Sequence, residues 1–392
     1  MKKYDFIIAG GGMAGLSIAY YLSLSPLRDR SILILDREQK NRNDRTWCFW
    51  ERGEGSYESI LFRTWNRVEF YGTTLSGLLD IGEYRYKMLR GIDFYTFMHA
   101  HLAQFSNIEI RQATVNRIKD TVQGAFVIAD DEPLIADYVF DSTFALTLNE
   151  PENHNLLQHF KGWVITTEKP CFDVTRPRMM DFRVAQHNDC RFVYVLPFNT
   201  KTALVEFTLF NKKILDDAEY EADIRQYIDQ HLDTGTYQIG ETEFGVIPMS
   251  DVPTKENPSD HIIRIGTSGG YTKASTGYTF QRTQSYLRDL VDNLAQTGKP
   301  NRRKSWFKGR FKFYDSVMLN VLENNRYPAD DMFTLLYEHN TPAEVFKFLD
   351  ENTTFFEELR VMWSMPKGPF TIALFDVIRR KIFGGWAISK AH

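Results

Sequence analysis

The sequence predicts a two-lobed α/β fold, in which a Rossmann-type dinucleotide-binding unit is interrupted by an antiparallel sheet and followed by a helical C-terminal region. Three observations predict it. A glycine cluster stands between a strand and a helix at Gly10 to Gly15, strand-like runs separated by Pro, Asn and Asp fill residues 150–250, and helical, aromatic segments follow Lys299. A chain of 392 residues is long enough for such lobes to share a large core.

Residues 6–9 form a buried strand, and Gly10-x-Gly12-x-x-Gly15 follows without a gap. Residues 13–24 space their apolar side chains as a helix does, and residues 31–35 make a second strand with Asp36 at its end. Gly10 allows the tight turn, Gly12 lets the backbone approach a pyrophosphate, and Gly15 lets helix and strand pack closely. Phosphates would sit on the free N–H groups at the helix N-terminus, and Asp36 is placed to accept hydrogen bonds from a ribose. The motif predicts a bound dinucleotide without saying which one; a phosphate-free βαβ turn is the alternative.

A polar loop, residues 37–45, then collapses into Thr46-Trp47-Cys48-Phe49-Trp50, which suggests either chain passing under the cofactor or tryptophans anchoring the core. Residues 84–88 alternate as a strand, 90–102 read as an amphipathic helix, and 108–113 and 125–129 as strands of a small sheet. Residues 136–142 are a buried strand of the kind that returns to a dinucleotide sheet. Strands at 162–167, 183–185, 191–197, 202–210 and 244–249 suggest an antiparallel platform, with a charged helix at 217–231. A late strand ending at Gly266 runs into Thr267-Ser268-Gly269-Gly270. Thr276-Gly277-Tyr278 then leads to a helix at 279–295, an arrangement able to hold the ribityl and pyrophosphate side of a flavin. Helices at 307–322, 328–337, 342–349 and 369–383 follow. The domain boundaries expected are 1–150 with 250–300 for the dinucleotide unit, 151–249 for the sheet, and 301–392 for the helical part.

Composition narrows the function. A net charge of -4 excludes nucleic acid as the main partner, because neutralising phosphates needs a basic surface. Cys48, Cys171 and Cys190 are an odd number at irregular spacing, which suggests neither disulfides nor zinc and fits a reducing cytoplasm. Met-Lys-Lys-Tyr leads straight into a strand, leaving no room for a signal peptide, and no apolar run approaches the roughly 20 residues of a membrane span. The protein is expected to be soluble or peripheral. Residues 370–386 interleave Phe370, Ile372, Leu374, Phe375, Ile378 and Phe383 with Arg379, Arg380 and Lys381, which suits either an interfacial helix or one closing the core with a solvated basic face.

Glu206 is the residue that carries chemistry. It is the sole ionisable group in an otherwise apolar or small run, and alternation puts Leu204, Glu206 and Thr208 on one face, Val205, Phe207 and Leu209 on the other. Burial would raise its pKa and keep it protonated, as a general acid at neutral pH requires; the alternative is a glutamate facing solvent. Ser-His-Asp, Cys-His and metal-ligand patterns are absent, which points the chemistry towards the cofactor and a proton.

Gly10-Gly11-Gly12-Met13-Ala14-Gly15, Asp44-Arg45-Thr46-Trp47-Cys48-Phe49-Trp50, Met180-Asp181-Phe182, Phe192-Val193-Tyr194-Val195-Leu196-Pro197, Leu204-Val205-Glu206-Phe207-Thr208, Gly245-Val246-Ile247-Pro248-Met249 and Thr276-Gly277-Tyr278 occur in that order. In this the chain resembles the bacterial and plant lycopene cyclases, over nearly its whole length. Two departures stand out: the family's second acid after Glu206 is Phe207 here, and the Asp that many flavoproteins place after the late strand's glycine is Thr267. The resemblance implies a two-lobed flavoprotein fold with a Rossmann-type FAD-binding domain, and FAD, active when reduced by NADPH or NADH, held by Gly10, Gly12, Ala14, Gly15, Asp36, Arg45, Gly266, Gly270, Thr276 and Gly277. It further implies acid-initiated cyclisation of lycopene or a related acyclic carotene. Glu206 would be the proton donor, and Trp47, Tyr194, Phe207 and Tyr278 would be aromatic faces for the substrate cation. A protein peripherally bound to the inner face of the cell membrane is the matching location. A flavin monooxygenase or carotenoid oxidoreductase with real redox turnover, and a non-catalytic carotenoid or lipid binder, are the alternatives.

Overall fold

The computed structural model describes residues 2–148, 152–301 and 309–388, with side chains described to residue 382. Strand β1 (Lys2–Ala9), helix α1 (Met13–Ser23) and β2 (Ile32–Asp36) form the opening βαβ unit. Strands β3 (Thr46–Arg52), β4 (Arg63–Trp65), β5 (Arg67–Tyr71), β6 (Ser76–Asp80) and β7 (Tyr84–Arg90) follow, then α2 (Gly91–Leu102). Next come β8 (Ile108–Gln112), β9 (Val115–Thr121), β10 (Gly124–Ala129) and β11 (Glu132–Asp141). The second lobe holds β12 (Asn155–Thr167), β13 (Arg178–Asp181), β14 (Cys190–Pro197), β15 (Thr202–Asn211), α3 (Asp217–His231) and β16 (Tyr237–Ser250). The chain then returns through β17 (Ile262–Arg264) and α4 (Phe280–Thr297). It ends in α5 (Gly309–Glu323), α6 (Ala329–His339), α7 (Pro342–Leu349), α8 (Phe355–Trp363) and α9 (Lys367–Ile388).

The first sheet has the order β8-β2-β1-β11-β10-β9, with β17 also on β11. The strands β8, β2, β1, β11 and β17 run parallel, and Ile7, Ile8, Leu33 and Ile34 at its centre are fully buried. Strand β11 is long enough to be used twice on one edge, pairing with β10 through Ala136 and with β17 from Val139. Residues 108–113 and 125–129, expected in a small separate sheet, belong to this one. Strand β8 pairs with β2 at one edge, from Ile108 opposite Ile32 to Gln112 opposite Asp36, and β9 and β10 extend from β11 on the other.

The second sheet has the order β16-β12-β15-β14-β13-β5-β6, and all its ladders are antiparallel except β13 with β5. Strands β5 and β6 come from residues 67–80, so the expected assignment of all of 1–150 to the dinucleotide unit is corrected. Turn-separated local strands are legible one by one, but their partner sheet is set by long-range pairing. Residues 183–185 are not a strand. Arg183 sits just after β13 and its guanidinium grips Asp181, 2.6 Å from Oδ2.

This sheet buries both faces. Val193, Val205, Phe207 and Leu209 pack against Tyr220, Ile224 and Ile228 of α3, which a capping box of Asp216 and Glu219 starts. The opposite face, with Phe192, Leu196, Leu204 and Met249, packs against α5 to α9. Helix α8 was not anticipated, although Thr354 and Glu357 form a capping box at its start. Of the expected C-terminal segments, residues 307–308 and the side chains of Phe383 and Trp386 lie outside the described residues. Among the described residues no helix is long and apolar enough to cross a membrane.

Phe207 is fully buried under α3 and not on the face that Glu206 shares. Its expected role as a substrate contact is therefore corrected: strand alternation turns it away. Phe207→Ala is expected to lower unfolding free energy by about 3–5 kcal/mol, the range for deleting a buried phenylalanine, as measured by urea denaturation.

Candidate active site

The glycine loop builds the first wall. Gly10 has φ of +96° and a Cβ there would lie 2.2 Å from Ser142 Oγ, so the turn is closed by the end of β11. A Cβ on Gly15 would fall 1.8 Å from the Gly10 carbonyl, the close packing that the motif requires. At Gly12 an added Cβ would meet no heavy atom within 4 Å, and no side chain caps α1. The helix N-terminus therefore faces open space with its first N–H groups available. Asp36 takes the Gly11 N–H on Oδ2 at 2.6 Å and the Glu38 N–H on Oδ1 at 2.7 Å. It holds the loop while lining, with Gly10, Gly12 and Arg45, an outer cavity of about 790 Å³.

A second, inner chamber of about 520 Å³ adjoins it. Ala14, Arg45, Trp47, Gly266, Thr267, Thr276 and Gly277 line it from the dinucleotide lobe, and Tyr194, Leu204, Glu206 and Pro248 from the antiparallel sheet. Gly266 and Gly277 both take positive φ, +64° and +73°, and side chains there would strike Ala14 and Gln158. Gly15 and Gly270, both expected cofactor residues, line neither the outer cavity nor this chamber. Gly15 packs the helix on the strand. Gly270 ends a single helical turn, packs on Thr254 and lines a neighbouring cavity with Asp251 and Lys312, so it shapes the turn and not the chamber wall. Trp47 packs edge-on against Phe94 at 5.3 Å and beside Phe280 at 5.5 Å, which fixes its ring at the chamber edge. Trp50 instead anchors the core, stacked on Phe346 at 4.5 Å with Nε1 donating to Asp350.

Glu206 sits mid-strand on β15, between Tyr194 of β14 and Gly162 of β12. The surface it retains faces the chamber and not bulk solvent. Burial, then the charge of Glu243, then a hydrogen bond with Glu243 hold its carboxyl well above the usual carboxylate range, while the Thr208 hydroxyl donating to Oε1 at 3.1 Å opposes this. Glu243 itself is raised, chiefly by burial, with Glu206, Thr46 and Arg45 acting the other way. Burial thus favours the neutral form of Glu206, with Glu243 as its neighbouring carboxyl.

Tyr194 and Tyr278 line the chamber and also a third, apolar cavity of about 370 Å³. Burial pushes the Tyr278 phenol up to about 12 and the Tyr194 phenol upward too, so both stay neutral. From them the cavity runs past Trp50, Phe192, Tyr337 and Phe348 to Met362, Lys367 and Thr371 at the junction of α8 and α9. The apolar cavity thus shares the walls formed by Tyr194 and Tyr278 with the chamber that Glu206 lines, and the glycine loop lies on the chamber's other side.

Residue-level reading missed Glu243, Gly162 and Gln158. Glu243 lies in a polar run, Glu241-Thr242-Glu243, just before the strand expected at 244–249; its burial follows from β16 extending to Tyr237 and pairing with β12. Gln158 leaves its Oε1 buried without a partner beside Gly277, a contact that no local pattern signals.

Comparison with known proteins agrees with this geometry. A family model described as lycopene cyclase protein matches residues 5–374. The lycopene beta-cyclase of Pseudescherichia vulneris is 23% identical over 388 residues, covering 93% of this chain and 95% of that protein. The fold is similar to a flavoprotein/dehydrogenase from Cytophaga hutchinsonii, with a TM-score of 0.60 at 11% identity over 92% of this chain and all of that one. It is also similar to a geranylgeranyl bacteriochlorophyll reductase-like protein of Thermoplasma acidophilum, with a TM-score of 0.58 at 13% identity over 97% and 96% of the two chains. With a family match running from β1 into α9, across the glycine loop, Glu206 and the apolar cavity, the chain belongs to the lycopene cyclase family.

Proposed function

We propose that the protein cyclises the acyclic ψ ends of lycopene to β-ionone rings, giving γ-carotene and β-carotene, by acid-initiated carbocation chemistry with reduced FAD and no net redox change. The observation that carries this reading is a buried carboxyl, Glu206, held well above the usual carboxylate range in a chamber that shares Tyr194 and Tyr278 with an apolar cavity. A hydrocarbon offers no hydrogen-bonding handle, so it must be held by shape and apolar contact, which the cavity walls supply.

The residues present fit FAD. Gly12 leaves the backbone open to a pyrophosphate, and the buried Gln158 Oε1 and Thr276 Oγ1 have no partner in the protein where the chamber passes Gly277. Gly10, Gly12 and Ala14 would hold the pyrophosphate, Asp36 the adenosine ribose, and Arg45, Gly266, Thr276 and Gly277 the flavin half. Reduced FAD, when bound, supplies negative charge beside a forming cation, and NADPH or NADH is an outside reductant in this scheme.

Glu206 gives its proton to the terminal alkene: its O–H bond breaks as a C–H bond forms. The resulting cation closes on the neighbouring double bond, and loss of a ring proton completes the β ring. The faces of Tyr194, Tyr278 and Trp47 lie where they stabilise a cation by cation–π attraction, worth up to about 2 kcal/mol each when desolvated.

The mouth of the apolar cavity supports a peripheral membrane location at the inner face of the cell membrane. Helices α8 and α9 expose Phe355, Phe356, Leu359, Trp363, Ile372, Phe375 and Ile382 around it, with Phe356 at 81% and Trp363 at 79%. Lys367, Arg379 and Lys381 stand among them, the combination that binds an anionic lipid surface.

Three outcomes are expected. Glu206→Gln, supplied with reduced FAD and lycopene, loses cyclic product by about 100-fold or more, read by chromatography of the carotenes; undiminished β-carotene would remove Glu206 from the mechanism, and NAD(P)H or O₂ consumption matching product would favour the oxidoreductase reading. The Glu206 pKa is raised, so its active protonated form extends above the ordinary carboxylate range. Initial rates should therefore hold steady through acid and neutral pH, then fall as pH rises through that shifted value. Replacing Phe356, Trp363 and Phe375 together by Ser should abolish flotation with anionic liposomes while far-UV circular dichroism stays unchanged.

A further inference from the structure

Cyclisation without net redox consumes one proton from the acid for each ring, so Glu206 must be recharged every turnover. After donating, it is a carboxylate in a chamber closed by Tyr194, Tyr278 and Pro248. The Thr208 hydroxyl beside it can hydrogen-bond but is too weak an acid to surrender a proton.

Glu243 is placed to do this. It lies on β16 and Glu206 on β15, with β12 between them, so their backbones stand roughly 10 Å apart at ordinary strand spacing. Both are the cross-strand partners of one residue, Gly162. A Cβ at Gly162 would lie 2.9 Å from Leu204 Cδ1 and 3.0 Å from Glu243 Cγ, so the missing side chain is what lets the two carboxyl groups meet. Glu243 is only 8% exposed, yet it lines the outer cavity with Gly10, Asp36 and Arg45, whereas Glu206 lines the inner chamber. The rim of that outer cavity carries the exposed Arg37 and Arg42. Oε1 of Glu243 is buried and has no hydrogen-bond partner in the protein.

We propose that Glu243 is the proton relay of this site, taking a proton from water in the outer cavity and passing it across the Gly162 gap to Glu206. The inference rests on Glu206 as the acid. In the recharging step the Glu243 O–H bond breaks as the Glu206 O–H bond forms, and water then reprotonates Glu243. In the same turnover the ring C–H bond breaks as a water on the cofactor side of the chamber takes the proton, so protons balance and no electrons move. Two carboxylates in contact resist both being ionised, and this draws the proton back.

The test compares single turnover, with protein in excess of lycopene, and multiple turnover, both with reduced FAD and lycopene in liposomes. Glu243→Gln can accept a hydrogen bond but cannot relay a proton. It should still form the first ring while multiple turnover falls about 10- to 100-fold, and formate should raise that slow rate in proportion to its concentration. Glu243→Asp should turn over without formate, and Gly162→Ala, which crowds the gap, should show the same split as Glu243→Gln. Bound-flavin absorbance confirms that each variant is folded. Native multiple turnover in Glu243→Gln, or equal loss of the first ring and of turnover with no response to formate, would overturn the relay. Glu206→Gln run in parallel separates the two ideas: if it still cyclises, the acid assignment fails whatever Glu243 does.

Discussion

The rest of the site is built around one carboxyl group, Glu206, buried mid-strand in a chamber between the glycine loop and the antiparallel sheet. A glutamate placed mid-strand among leucine, valine and phenylalanine is costly to ionise, and the fold makes that cost useful. It surrounds Glu206 with a sheet, two neutral phenols and a second carboxyl, Glu243, whose charge raises it further. Desolvation alone would favour a neutral acid; the charge of the neighbouring carboxyl acts in the same direction.

The two-faced antiparallel sheet is how this is achieved mechanically. On one face Val193, Val205 and Phe207 are locked under α3, which leaves the strands little freedom to shift register. On the other, every second residue reaches the chamber or the apolar cavity. A slip of one residue would exchange Glu206 for Val205 or Phe207, so the buried packing under α3 determines which side chain meets the substrate. Gly162 has a comparable part within the sheet: its lack of a side chain is what allows groups on two non-adjacent strands to touch.

The dinucleotide lobe and the helical cap serve this chamber from opposite sides. The open N-terminus of α1, the Gly266 turn and Gly277 form one wall, and the C-terminal helices form a long apolar approach. A polar cofactor and a hydrocarbon can thus enter from different surfaces. The first comes by a cavity ringed with Asp36, Arg37 and Arg45, the second between helices whose outer faces carry Phe356, Trp363 and Phe375. In the proposed reaction this separation would put water on the cofactor side, where a relay can use it, and away from the aromatic side.

The sequence by itself determined the βαβ unit and its glycines, the strand carrying Glu206, helix α3 and most of the C-terminal helices, because short-range periodicity and turn chemistry specify these directly. Alternation even placed Phe207 opposite Glu206, although the substrate role drawn from resemblance set that aside. Tertiary structure alone decided the rest. The recruitment of β5 and β6 into the second sheet, the joining of β8 to the first, the packing of Gly270 on Thr254 and the meeting of Glu206 with Glu243 all depend on pairings between distant segments. No local pattern in Glu241-Thr242-Glu243 distinguishes a buried acid from a solvated one. Its environment is set by β12 lying beside it and by the absence of a side chain at Gly162.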